Sequence, residues 1–276
     1  MANFVRFVLA AAVLPGLAAF APPKPPPALR LYVFDCGQMD VRNDSEFHPG
    51  VAGQSRTLAD PCFLVVHPKG TLIWDTGLPE GIPDGTVVDN NYTLHIRHLS
   101  QQLKDIGYSP DSITYLGISH MHFDHVGDAS LFPHATLLIQ KAEYDAAFGP
   151  RPSKLGYDSS AYQTLRMNPV KKLDGDFDVF GDGSVVIHRA IGHTPGHQTL
   201  YVQLPKTGNV LLSGDLAHFR DNWEHQRVPN GNFDSAQTVG AMQEVARFLA
   251  AHHAVLWIQH DIDQFRALKH SPAYYE

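Results

Sequence analysis

Basic clusters are missing from this chain. Its 28 acidic side chains outnumber 21 basic ones, giving a net charge of −7, and lysine and arginine nowhere gather into a run. Nucleic acid and anionic membrane surfaces would find no patch to neutralise them, so neither is an expected partner. Cysteine is nearly absent: Cys36 and Cys62 are the whole complement. They permit one disulfide or two buried thiols. Cys36 ends one strand of the pattern and Cys62 begins the next, which leaves both readings open. No internal repeat is visible. Nor does any apolar run have the length to span a bilayer as a mature helix. The nearest, Phe7–Ala19, follows the lone charge Arg6 and runs into Ala19-Phe20-Ala21, a small-x-small cleavage pattern; Pro15-Gly16 would break an ordinary helix there. Residues 1–21 therefore read as a signal peptide, cut there or a few residues earlier because Pro22 disfavours the later bond. Residues 22–28 form a Pro-rich spacer, and 29–276 carry the folded domain, with enough apolar content for a sizeable core. Export to a bacterial periplasm or beyond is the expected localisation.

Histidine, by contrast, is plentiful, and it is concentrated. The stretch Ser119–Gly127, S-H-M-H-F-D-H-V-G, sets His120, His122, Asp124 and His125 close together after the apolar run Ile113–Ile118. That run reads as a short buried strand. If extended geometry continues past it, alternation points His120 and His122 to one side. A turn would then aim Asp124 and His125 at a second point nearby. Imidazoles and a carboxylate at this density suit Zn²⁺ or a similar borderline metal better than a polar loop that is merely histidine-rich.

Around this stretch the pattern alternates loosely between strands and helices, as in a layered α/β domain. Leu29–Asp35, Cys62–His67 and Thr71–Asp75 read as strands, with the polar segment Gln38–Asp60 between the first two. Met39, Phe47 and Val51 in that segment could wall a substrate, since long segments without structure in compact domains are usually functional. Apolar residues at Ile96, Leu99, Leu103 and Ile106 predict a helix over Tyr92–Ile106, which would carry His95 and His98 on its surface. Ala135–Gln140 predicts a strand and Lys141–Phe148 a short helix; Gly149–Pro169 has no clear period and reads as a lid or a dimer contact. Ser184–His188 is a strand, Gln198–Leu204 and Asn209–Ser213 a hairpin, Asp234–Ala251 a helix, and Ala254–Ile258 a last strand.

H-x-H-x-D-H, standing here as His120, His122, Asp124 and His125, resembles the signature of the metallo-β-lactamase fold hydrolases. The resemblance implies an αββα sandwich with two divalent ions at one sheet edge, Zn²⁺ in the first instance, with Fe, Mn or Co as alternatives. Its remaining ligands follow in the expected order: His193 in G-H-T-P-G-H, Asp215 in S-G-D, and His260 in W-I-Q-H. His120, His122 and His193 would hold one ion; Asp124, His125 and His260 the other; Asp215 would bridge them, with a hydroxide between the ions as nucleophile. His197 falls outside the ligand set, His188 is a core or surface residue, and Asp75 of Asp75-Thr76-Gly77 would support the metal loop. Within the superfamily, the bridging Asp215, the His260-Asp261 pair and the ending Ser271-Pro272-Ala273-Tyr274-Tyr275 resemble the quorum-quenching N-acyl-homoserine lactonases. A small lactone or ester is then the expected substrate, with Asp124, Asp215 and His218 as catalytic residues and Trp223 beside Met39 and Phe47 along an acyl groove. His218 stands where those lactonases commonly carry a tyrosine that polarises the carbonyl; an imidazole N–H can also donate to an oxyanion. The rivals are a glyoxalase-type thioesterase, for which Arg266 and Lys269 give few basic residues, and a phosphotriesterase or aryl esterase. A di-iron electron-transfer protein would need a flavin domain that the chain lacks. A homodimer is a possible assembly.

Overall fold

The computed structural model describes Met1 and residues 28–276, so the expected leader and nearly all of the spacer lie outside the described residues. Among the described residues thirteen strands form two sheets. The first sheet takes β1 (Arg30–Val41), β2 (Arg56–His67), β3 (Gly70–Trp74), β4 (Thr86–Val88), β5 (Tyr92–His95), β6 (Tyr115–Gly117), β7 (Thr136–Gln140) and β8 (Val170–Leu173), in the order β4-β5-β1-β2-β3-β6-β7-β8. The second takes β9 (Phe177–Asp178), β10 (Val185–Arg189), β11 (Gln198–Leu204), β12 (Gly208–Leu212) and β13 (Ala254–Trp257), in the order β13-β12-β11-β10-β9. Each sheet combines antiparallel hairpins with parallel pairs, β3-β6-β7-β8 in one and β12-β13 in the other.

The sheets meet through their apolar faces. Phe63, Leu72 and Trp74 from the first pack on Val185, Ile187, Leu200 and Leu212 from the second. The outer face of the first sheet is covered by helix α1 (Leu99–Asp105) through Leu99 and Leu103, with α2 (Phe123–Val126), α3 (Lys141–Ala147) and α4 (Ser159–Tyr162) beyond it. After the short α5 (Arg220–His225), helix α6 (Ser235–His252) covers the second sheet, setting Ala241, Met242 and Val245 against Leu211 and Leu256. This is the expected αββα order, and α7 (Ile262–Ala267) closes the chain. Helix α6 begins where Asp234 accepts from the Gln237 N–H, an N-cap legible in the sequence.

Three expectations need correction. The helix read over Tyr92–Ile106 begins only at Leu99; Tyr92–His95 is a strand paired with Gln38–Val41. The free edge of β1 offers backbone partners there, and pairing overrides a helical spacing that has little propensity behind it. His95 thus lies on an edge strand and His98 precedes the helix. The long segment between the first strands is also shorter than read, because β1 continues to Val41 through a bulge after Asp35 and β2 begins at Arg56. Finally, the excursion over Gly149–Pro169 is built from α4 and 3₁₀ turns rather than being irregular throughout. The cysteines left open above are joined, Cys36 to Cys62, with Cα atoms 5.7 Å apart across the β1–β2 pair.

Candidate metal centre

The residues singled out at strand ends converge on one edge of the sandwich. His120 follows β6, His193 follows β10, Asp215 follows β12 and His260 follows β13. His122 keeps extended backbone geometry (φ −71°, ψ 155°) as the residue that precedes α2, whose short turn carries Asp124 and His125. Glycine permits the approach of the His193 loop: a Cβ on Gly192 would stand 2.2 Å from the Thr238 backbone nitrogen in α6, and its φ of 135° suits glycine alone.

Two groups match the expected ligands, and a third, Asp215, His218 and His260, overlaps them. His120, His122, His193 and Asp215 bring ligand atoms within 4.8 Å of one another, as do Asp124, His125 and His260. Asp215 faces both. Its Oδ2 lies 3.4 Å from His193 Nε2 and 3.7 Å from His120 Nε2, while its Oδ1 lies 3.2 Å from His125 Nε2 and 3.0 Å from His260 Nε2.

The donor chemistry fits cations at both points. In the first group His120 Nε2, His122 Nδ1 and His193 Nε2 stand 2.9, 3.0 and 3.2 Å apart. The opposite nitrogen of each ring is turned to an oxygen: Ser119 Oγ at 3.1 Å for His120, the Leu155 carbonyl at 2.9 Å for His122, Asn232 Oδ1 at 3.0 Å for His193. In the second group, His125 Nδ1 meets Asp75 Oδ2 at 3.0 Å and His260 Nδ1 the Ala59 carbonyl at 2.8 Å. An N–H spent outward leaves a lone pair inward, and converging lone pairs need a cation between them. The inward atoms His125 Nε2 and Asp215 Oδ1 accordingly find no hydrogen-bond partner of good geometry among the described residues.

Electrostatics point the same way. Burial pushes the pKa of His120 and of His193 well below the ordinary imidazole value, keeping both rings neutral and able to ligate. Burial also opposes charge on His125 and His260, yet Asp215 and Asp124 outweigh it; His125 is held well above its usual value and His260 is raised to about 9. Asp215 is held well below the carboxylate range because the rings around it, His260 and His218 foremost, overcome its burial. Counted over the protein's own groups, this floor calls for positive charge.

His197 and Asp75 take supporting places. His197 Nε2 accepts from the Asp215 N–H at 2.9 Å while its Nδ1 donates to the Ala190 carbonyl, so the ring orients Asp215 and is turned away from both groups. His188, near the end of β10, pairs with Asp176 and belongs to neither group. His218 is buried in the centre, its Nε2 3.1 Å from Asp215 Oδ2. It faces the shared carboxylate, where the sequence led us to expect it over a substrate carbonyl. Glu143 in α3 was not singled out. Its buried carboxylate accepts from the Met121 and Gly196 N–H groups, Thr194 Oγ1 and Tyr157 Oη, tying both first-group loops together. A carboxylate on a short helix gives no sign of this in sequence, and Asn232 gives as little.

Above the floor opens a cavity of about 420 Å³. Met39, Phe47, Leu58 and Tyr92 form one wall, Leu155 and Gly156 another, and His122, Asp124, His193, Asp215, His218 and His260 line its base. The Phe47 loop is fastened, since Asn222 Nδ2 donates to the Phe47 carbonyl and the Asn230 N–H to that of Glu46. Val51 and Trp223 are not part of the wall: Val51 is 47% exposed and Trp223 packs beside α6.

The comparisons with known proteins agree with this geometry. The Metallo-beta-lactamase superfamily model matches residues 58–258. An N-acyl homoserine lactonase, AttM, of Azorhizobium caulinodans is 30% identical over 263 residues, covering 90% of this chain and 99% of that protein. A Bacillus N-acyl homoserine lactonase is 30% identical over 257 residues, with 89% and 98% covered. Among solved structures, an N-acyl homoserine lactone hydrolase with N-hexanoyl-L-homoserine at its catalytic metal center superposes with a TM-score of 0.77 at 27% identity, covering 90% of this chain and 99% of that one. A variant of Bacillus thuringiensis AiiA with bound N-decanoyl-L-homoserine gives 0.78 at 26%, with 90% and 99% covered. The chain belongs to the metallo-beta-lactamase superfamily and is one of its metal-dependent hydrolases. Within that class its sequence stands with proteins named as N-acyl homoserine lactonases.

Proposed function

We propose that this hydrolase opens lactone rings, N-acyl-homoserine lactones in the first instance, and that His120, His122, Asp124, His125, His193, Asp215 and His260 hold two divalent ions. One observation carries the reading: Asp215 divides its two oxygens between the two groups at the base of a cavity with an apolar wall. When bound, two divalent ions, Zn²⁺ in the first instance, would supply an activated water and a Lewis acid for the carbonyl oxygen. The chain's own residues do the rest. Met39, Phe47, Leu58 and Tyr92 receive the acyl chain and exclude water from it. Asp124, whose carboxylate lines the base, is placed to carry the proton from the attacking water to the ring oxygen as the C–O bond breaks. His218 holds the plane of the Asp215 carboxylate from Nε2 and lies near enough to the cavity to donate to a developing oxyanion.

A hydrolysis panel of a homoserine lactone, a thioester, a β-lactam and a phosphotriester tests this on the metal-loaded protein. The lactone should be turned over with the highest kcat/KM; a thioester preferred over every lactone would overturn the reading. Export through residues 1–21 belongs to the same proposal, supported by the Cys36–Cys62 disulfide, which suits an oxidising compartment. Folded, active protein recovered from the cytoplasm with residues 1–21 intact would sink that part. Pairing into a homodimer is a further part of the proposal, read by light scattering; a monomer at all concentrations rejects it.

A further inference from the structure

One buried carboxylate beneath the second group has no place in this scheme. Asp60 lies in β2 between Ala59, whose carbonyl meets His260 Nδ1 at 2.8 Å, and Pro61, whose carbonyl accepts from Gln259 Nε2 at 2.8 Å. Strand alternation places it on the face shared by Leu58, which lines the cavity, and Cys62, which is bonded to Cys36. Its relative exposure is 0%, and neither oxygen meets a donor among the described residues. Burial first, and then the charge of Asp124, pushes its pKa well above the carboxylate range. The charged groups acting on it most strongly are Asp124, His125, His260 and Asp75, with no lysine or arginine among them.

An unpaired carboxyl in such a place is costly unless a cation stands near. Two divalent ions bring four positive charges. The carboxylates of Asp124 and Asp215 answer part of that charge, and Asp75, bonded to His125, adds to them. We infer that Asp60 is the fourth carboxylate of the centre, a positioning residue that holds no ion directly and whose charge strengthens the site formed by Asp124, His125 and His260. The inference rests on the two-ion reading above.

Asp60→Asn keeps the shape and removes the charge. Parent and variant, stripped by chelation, are titrated with Zn²⁺ against a chromophoric chelator, and melting temperatures are recorded with and without zinc. The parent should take up two equivalents. The variant should also take two, one of them at least tenfold weaker and the other unchanged. Its stripped form should melt no lower than the parent's, because an amide is less costly to bury than an ionisable carboxyl, while its gain in melting temperature from zinc should be smaller. A purely structural Asp60 would lower the melting temperature of the stripped form and leave that gain intact. That result, or two ions held as tightly as by the parent, overturns the inference while the two-ion reading stands. A parent that binds fewer than two ions removes both.

Discussion

On the His120, His122 and His193 side of the centre, every ring is steadied by a neutral oxygen: a serine hydroxyl, a backbone carbonyl, an asparagine amide. On the other side His125 leans on the Asp75 carboxylate, Asp124 is itself a ligand candidate, and Asp60 lies buried beneath. The two sides also differ in what they do to imidazole. The first, poor in carboxylate, holds His120 and His193 neutral through burial; the second pulls His125 and His260 toward the charged form. Two sites built from similar ligands are therefore unlike in field. The first offers lone pairs in a nearly neutral frame, and the second concentrates negative charge. We expect the second to gain more from a divalent cation and to depend more on each of its supporting carboxylates.

Asp215 is the point where that contrast breaks down, because one oxygen belongs to each side. Asp215→Asn keeps the shape but removes the shared charge. Metal content should fall below two per chain, and kcat should drop by orders of magnitude, on the order of a thousandfold or more. Elemental analysis with steady-state kinetics checks both; full metal content with parental turnover would remove Asp215 from its bridging place.

The contrast itself is sharpened by paired variants. Asp75→Asn leaves His125 Nδ1 without its carboxylate, and loss of such a partner typically costs about 10–100-fold in metal affinity. Asn232→Ala removes only a neutral acceptor from His193 and should cost less. Competition titrations with a chelator read both affinities. Equal losses in the two variants would mean that the field argument is wrong and that orientation alone matters.

The sequence showed one layer of this centre and concealed the next. His120, His122, Asp124, His125, His193, Asp215 and His260 were legible because ligand chemistry restricts residue type and strand ends restrict position. Their supports were not. Ala59 and Leu155 act through backbone carbonyls, which no side chain announces, and Asn232 reaches His193 only through the tertiary approach permitted by Gly192. Asp60 was hidden for a different reason: it fell in a polar segment read as loop, whereas β2 runs through it. The same weakness placed His95 on a helix. Spacing in sequence records which residues could share a face, and the free edge of β1 decided otherwise. The individual strands and α6 were legible from apolar runs and spacing, whereas the αββα order of the layers came from the family resemblance.

Glu143 tests the neutral side. Its carboxylate takes three donors from the loops that carry His120, His122 and His193 and a fourth from Tyr157, and burial raises its pKa. Glu143→Gln sets an NH₂ group among those donors, so at least one buried partner is left unmatched, at about 1–3 kcal/mol of stability. Thermal melts should show the loss, and the ion of the first group should be released earlier on chelation. A variant that melts and binds as the parent does would show these loops to be held by packing alone.

His218 should have the smallest effect, and it separates two roles. If it only holds the Asp215 carboxylate, His218→Ala should loosen the join between the two sides, weakening metal binding and lowering kcat together. If it donates to the developing oxyanion, kcat should fall by itself, on the order of tenfold since an ion shares the task. His218→Tyr divides the cases further. A phenol can donate toward the cavity but reaches Asp215 from a different distance, so recovery of kcat without recovery of metal affinity would assign the oxyanion role. Recovery of neither would leave His218 as the residue that keeps one carboxylate flat between two unlike sites. The 3.1 Å contact to Asp215 Oδ2 and the burial of the ring favour a measurable loss in His218→Ala by either route. A variant with parental kcat and parental metal content would eliminate both.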